Sequence, residues 1–303
     1  MQIHVGLEYY YHHASTAGAA SEYAQFSSHP LLPSVAFGFP PTDPHLCSLV
    51  RHQLFGWFRK RRLKKILAQP WPEKWDLHLN RNVRLCQKLS QNEIQALQDR
   101  TKIFVAEKNW EGLEGLDVTV EMKVTIAAQA CMMLLGVDDF YFDNVKTILV
   151  FPDTFRREAN DGVTFGAQHR SGEAWQGGPI VLSWRDALRG CRNEDDGSNV
   201  VIHEFAHALD GLDGFMGGNI TFDDQPSHDQ WDKVVDHGYQ ELVAAKKSGR
   251  RTLLDHYGAT NKAEYFAVAT ETFFEQPGKL RKKHHDLYSL LVKYFKVNPM
   301  KWQ

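Results

Sequence analysis

Cysteine is scarce here: four in 303 residues, and Cys47, Cys86, Cys131 and Cys191 stand far apart with no Cys-x-x-Cys pair. That spacing argues against a cysteine zinc site and a disulfide-stapled scaffold, and it fits a reducing compartment. Long apolar runs are missing too. The most apolar stretch, Val124 to Val137, is too short to span a bilayer and contains Thr125 and Gln129, so it reads as a buried helix. Charge is nearly balanced, with a net of −2, which gives no reason to expect nucleic acid or an anionic membrane as a bulk partner. The first residues lack a basic region and reach Tyr9-Tyr-Tyr-His-His13 without an apolar segment, so no secretory leader is expected and the expected location is cytoplasmic. There is no internal repeat.

What is present is an ordinary globular balance, 43% hydrophobic and 24% charged, enough for a sizeable core. The length suggests one large domain with an extension, placed here as an irregular N-terminal extension over 1–50 and a single domain over 51–303. Met1 to Pro44 holds five prolines (Pro30, Pro33, Pro40, Pro41, Pro44) and no sustained periodicity. Its adjacent His12 and His13 read as inert. Leu54 to Leu67 is basic and amphipathic. Its sharp reading is a membrane-surface or nucleic-acid arm. The favoured one is a leading segment whose Trp57 and Phe58 dock on the domain while its charges stay solvated.

Helical periodicity covers Trp75 to Cys86, then a helix opened by the capping box Ser90-x-x-Glu93, then Thr119 to Leu135, read as the most buried. Trp110 to Val118 reads as a loop with a short extended piece. Thr147 to Pro152 is strand-like, and Pro179 begins a second strand. Asp186 to Asn199 reads as a loop or short helix, and a polar loop is expected over Asp213 to Ser227. Further helices are expected over Trp231 to Lys247, Lys262 to Phe274 and Asp286 to Phe295, with a turn-rich link at Leu253 to Asn261. Strands followed by helices imply an α+β fold with a small mixed sheet and a mainly helical remainder.

The chemistry concentrates in Val200-Val-Ile-His-Glu-Phe-Ala-His-Ala-Leu-Asp210. On a helix, His203 and His207 project from one face a turn apart, a spacing that can grip one tetrahedral zinc. Glu204 stands beside the metal, where a general base belongs. Asn199 or Ser198 can cap this helix and Gly211 can end it. A catalytic zinc usually has three protein ligands, and two carboxylates compete for the third place. Asp213 sits six residues after His207, where metzincins carry theirs, but those chains need glycine three after the second His and Asp210 stands there. Glu264 opens an otherwise apolar helix, a costly place unless it is paired or metal-bound; an exposed first-turn glutamate is the other reading, and Glu264 is favoured partly on the family likeness given below. Glu271 shares its face and could accept from a zinc-bound His; Asp210 is a second such acceptor.

Five blocks then carry a family likeness: Glu121-Met-Lys-Val-Thr-Ile-Ala-Ala-Gln-Ala-Cys131, Thr147-Ile-Leu-Val-Phe-Pro152, Trp175-Gln-x-Gly-Pro-Ile-Val-Leu-Ser-Trp184, His203-Glu-x-Ala-His-x-Leu-Asp210 and Ala263-Glu-x-Phe-Ala-Val268. Together, over about Phe55 to Phe295, the chain resembles the Mlc titration factor A family of bacterial zinc peptidases. The resemblance implies a gluzincin-like, zincin-type fold related to the anthrax lethal factor catalytic domain, and aminopeptidase-type activity. It implies one Zn2+ per chain held by His203, His207 and Glu264, with Glu204 as base and Tyr257 as a phenol facing the site. The expected reaction is metal-assisted hydrolysis of a peptide or protein substrate. The Pro179 to Trp184 strand would bind that substrate by strand addition if it is a sheet edge; a plain core strand is the other reading. The alternative function is regulatory, the binding and sequestering of a Mlc-like transcriptional repressor. No nucleic-acid partner and no membrane insertion are expected.

Overall fold

The computed structural model describes residues 57–153 and 178–302. The Met1 to Pro44 extension with His12 and His13, Cys47, the start of the basic stretch and residues 171–177 of the second strand block lie outside the described residues.

Helix α1 covers 57–67 and α2 Glu73–Asn82. The periodicity that runs on to Cys86 is completed by a 3-10 turn, Arg84–Lys88, whose tighter winding turns Leu85 and Cys86 into the core. In α1 the expectation for the aromatics is overturned. Trp57 and Phe58 are exposed (53% and 59%), while Arg59 and Arg62 reach Asp143 and Glu107. The ion pairs thus join this helix to later elements through its cations rather than its rings.

Helix α3 (Gln91–Glu107) starts at the capping box: Ser90 Oγ accepts from the Glu93 N–H and Glu93 Oε2 accepts from the Ser90 N–H at 2.8 Å. After it comes β1 (Asn109–Gly112), a strand where only an extended piece was expected. Helix α4 (Val120–Met132) is capped by Thr119 and is buried from Val124 to Met132. Strands β2 (Thr147–Phe151) and β3 (Ile180–Ser183) complete a sheet in the order β1-β2-β3. Among the described residues all three strands are parallel, rather than the mixed arrangement expected, with Asn109 opposite Thr147 and Ile148 opposite Ile180. The crossover through α4 brings β2 back beside β1 in the same direction.

Asp186 to Asn199 resolves into α5 (Trp184–Arg192), opened by Ser183, and a short link to α6 (Val200–Asp210). Helix α7 (Gln225–Ser248) begins before Trp231 because Asp224 caps it and Pro226 suits its first turn. A 3-10 turn, His256–Ala259, leads to α8 (Lys262–Glu275). Pro277 ends α8 but opens another helix, α9 (Pro277–Lys283), and α10 (His285–Phe295) follows. No helix among the described residues is long and apolar enough to cross a membrane.

The centre of the molecule is α8 rather than α4. Every residue from Ala263 to Glu275 is buried, the mark of a helix enclosed on all sides. Helix α6 packs on α8 and also meets α4, α5 and β3. Behind the motif's histidines, Phe205 lies 4.6 Å from Phe142 and 5.5 Å from Phe104, ring centre to ring centre. Burying such a ring contributes ~1.5–3 kcal/mol and fixes the roll of α6, hence the direction in which its histidines point.

Candidate metal centre

The start of α6 is held from two sides. Its own Asn199 side chain accepts from the Ile202 N–H at 3.2 Å. From α8, Glu271 accepts from the Asn199 N–H, and Glu275 accepts from the Asn199 side chain at 3.0 Å and from the Gly197 N–H at 2.9 Å. Glu264, Glu271 and Glu275 are seven and four residues apart, so they line one face of α8 and grip α6 along its first turns. The Asn199–Glu275 half of this grip is absent from the sequence expectations. Its signal was there to read: three acids at helical spacing in a helix otherwise too apolar to be exposed.

One turn into α6, the His203 and His207 rings lie 4.9 Å apart and their Nε2 atoms 3.2 Å apart. Glu264 Oε2 completes a triangle, 3.0 Å from His203 Nε2 and 3.3 Å from His207 Nε2. Such a group can hold a metal ion. Donors around a tetrahedral ion at ~2.0–2.1 Å stand about 3.3 Å from one another, so the triangle has the right size. Its composition fits as well. Glu264 is 1% exposed, a position a bare carboxylate avoids without a cation or donors. On the far side of His203, Nδ1 lies 2.8 Å from Glu271 Oε1, an acceptor that keeps a proton on Nδ1 and leaves Nε2, once the ring is neutral, as the nitrogen facing the triangle. His207 Nδ1 is buried with no hydrogen-bond partner among the described residues.

The carboxylates tune these groups. Burial opposes charge on His203, yet its bonds to Glu264 and Glu271 prevail and lift its pKa well above the usual 6.5. Burial likewise works against ionised Glu264, but the bonds from His203 and His207 hold its carboxyl down at about 2. Glu204 is half-buried; loss of water pushes its pKa up, with His203 and His207 pulling the other way. Glu275, buried beside other acids, is pushed up to about 8 by desolvation.

A pH dependence follows. A raised imidazole pKa means that His203 of the metal-free protein keeps its proton above pH 6.5 and sheds it only at higher pH. A protonated ring cannot ligate, so metal uptake should release protons and metal affinity should go on rising with pH above 6.5. Calorimetric titration of metal-free protein, in buffers of different ionisation heat, measures both. A plateau of affinity already at pH 6.5 would contradict the assignment.

The other expected residues separate. Asp213 lies in the 3-10 turn Gly211–Asp213, is exposed, and accepts from its own neighbour, the Phe215 N–H, at 2.8 Å. It is not part of the triangle. Asp210 is buried at the end of α6, where Oδ2 accepts from the Gly218 N–H at 3.0 Å while Oδ1 has no partner among the described residues. Its role in this geometry is to anchor a loop. Gly218 sits there at φ 74°, and a side chain would place its Cβ 2.5 Å from the Lys262 carbonyl, so that loop docks against the start of α8. Gly211 closes α6 without a left-handed turn (φ −77°), and the reversal is taken later by Gly214 at 93°. Tyr257 does reach the site. Its hydroxyl is 3.3 Å from Glu264 Oε1 and its ring centre 5.9 Å from that of His203.

A family model described as glucose-regulated metallo-peptidase M90 matches residues 55–296. A Synechocystis protein, uncharacterized protein slr2042, is 34% identical over 245 residues, covering 79% of this chain and 89% of its own length. Mlc titration factor A of Escherichia fergusonii is 26% identical over 243 residues (77% of this chain, 88% of its own). The protein of that name from Yersinia pestis is 26% identical over 255 residues (80% and 90%).

Proposed function

This chain belongs to the glucose-regulated metallo-peptidase M90 family, and from that premise we propose that it is a zinc-dependent peptidase of aminopeptidase type. The observation that carries the reading is the triangle of His203, His207 and Glu264, sized for one ion, with Glu204 next to it on α6. Two imidazoles and one carboxylate are a hydrolytic zinc set that leaves a position open. When bound, the ion supplies a more acidic water and a polarised carbonyl.

The remaining work falls to the chain. Glu204, its carboxyl raised by burial, accepts the proton of the attacking water and returns it to the leaving amine. The Tyr257 hydroxyl turns from Glu264 to the oxygen on which negative charge develops. Glu271 keeps His203 in the tautomer that presents Nε2. Among the described strands β3 is at the sheet edge and packs on α6, which suits an extended peptide added alongside it. The aminopeptidase preference is tested by hydrolysis of matched peptides with free and blocked N-termini.

Freshly purified, chelator-free protein is expected to hold about one zinc per chain by elemental analysis, and His203→Ala to lose most of it, since two ligands alone bind weakly. Protein that arrives without zinc, or a His203→Ala variant that keeps it, would overturn the centre. A second reading is favoured by the relatives named Mlc titration factor A: the chain also binds a Mlc-like repressor, which needs a surface rather than turnover.

A further inference from the structure

Away from the metal centre, the second half of α7, the end of α9 and the segment between Arg250 and Leu254 line a half-open cavity of about 350 Å³. That is within the ~300–1,000 Å³ range of small-molecule sites. Its apolar floor is Leu242 and Leu254, both buried. Its rim is cationic, with Arg250, Arg251 and Lys283 beside His284. None of those three cations makes an ion pair or a side-chain hydrogen bond among the described residues. The one carboxylate lining the cavity, Glu241, is turned 3.6 Å from His237. Helix-end dipoles account for part of this clustering, but the final turn of α7 is already closed by the Gly249 and Arg250 N–H groups. Three cations against the single carboxylate of Glu241 leave a net positive charge around a concave, partly apolar space.

We propose that this cavity binds a small, multiply charged oxyanion, a phosphate or a phosphate monoester. Arginine forks and a lysine suit phosphate oxygens, and the apolar floor suits the organic part of an ester. A concave site of this size takes a small ligand rather than a nucleic-acid backbone. The cavity is also wired to the metal centre. His256 Nε2 lies 3.1 Å from the Arg250 carbonyl oxygen, and the next residue, Tyr257, reaches Glu264. An anion gripped by Arg250 and Arg251 therefore steadies the segment that carries Tyr257.

The test does not depend on turnover. Zinc-loaded, full-length protein is titrated calorimetrically with inorganic phosphate and with phenyl phosphate, alongside Arg251→Glu and Lys283→Glu. Both residues are exposed, so both variants should fold, and Arg251→Gln provides a milder check. Wild type should bind at or below the ~1 mM scale, each charge reversal should weaken binding about 10-fold or more, and hydrogen exchange over 252–257 should slow on binding in wild type. Preference for phenyl phosphate would identify an ester as the ligand; equal binding would point to free phosphate. Binding that the charge reversals leave unchanged would place the anion elsewhere, the metal included, and overturn the proposal. So would no binding of either anion, or tight binding of duplex DNA that phosphate does not displace.

Discussion

Glu264→Ala is expected to leave a protein that binds zinc far more weakly and hydrolyses no peptide measurably, while Asp213→Ala stays close to wild type in both. Glu264 Oε2 is within 3.3 Å of both imidazole Nε2 atoms, so its removal takes away a donor and not a support. The loss should exceed the ~10–100-fold that follows removal of a supporting hydrogen bond. Without the carboxylate, the bonds that keep His203 charged also weaken, so the metal-free ring should titrate nearer its ordinary value. Asp213 has nothing comparable to lose, being exposed and bonded to the Phe215 N–H. Zinc content and peptide turnover of the two variants, measured side by side, decide the matter. A severe Asp213→Ala with a healthy Glu264→Ala would reverse the assignment of the third ligand.

Glu204→Gln should keep its zinc and lose at least ~100-fold in turnover, the usual scale for general-base loss. The amide has nearly the carboxylate's shape but cannot take the proton from water. Glu204 is not one of the three donors of the triangle, so metal content is the control that separates this variant from Glu264→Ala. The same protein also separates turnover from partner binding. If it still binds a Mlc-like repressor as wild type does while hydrolysing nothing, the regulatory role rests on a surface and the peptidase role on the centre. Turnover near wild type would remove Glu204 as the base.

The local parts of this site were legible in the sequence because they lie within one element. The period of an α-helix is enough to put His203 and His207 on one face with Glu204 beside them. Ser90 with Glu93, Thr119 and Asn199 announce helix starts because a cap is a contact over three residues. Glu264 was legible by its cost, an acid in an apolar helix, together with the family likeness. Where the reading departed from the structure, the deciding contacts were distant ones. The Trp57 and Phe58 rings are exposed, while Arg59 and Arg62 reach Asp143 and Glu107, far along the chain. One departure was local: Pro277 opens α9 as well as ending the helical run before it, because proline is tolerated at a first turn.

The sequence by itself thus determined the helix, its two imidazoles and its carboxylate, since side-chain periodicity is a property of the local backbone. Only the tertiary structure decided which carboxylate meets those imidazoles and what holds them still. Asp213 is near His207 in the chain yet turns back on its own loop, while Glu264, 57 residues beyond His207 in the numbering, is carried in by α8. Glu271 on His203, and Glu275 on Asn199 and Gly197, come with the same packing. Such contacts exist because two buried helix faces must satisfy each other's polar groups away from water, and no local pattern states which two faces will meet.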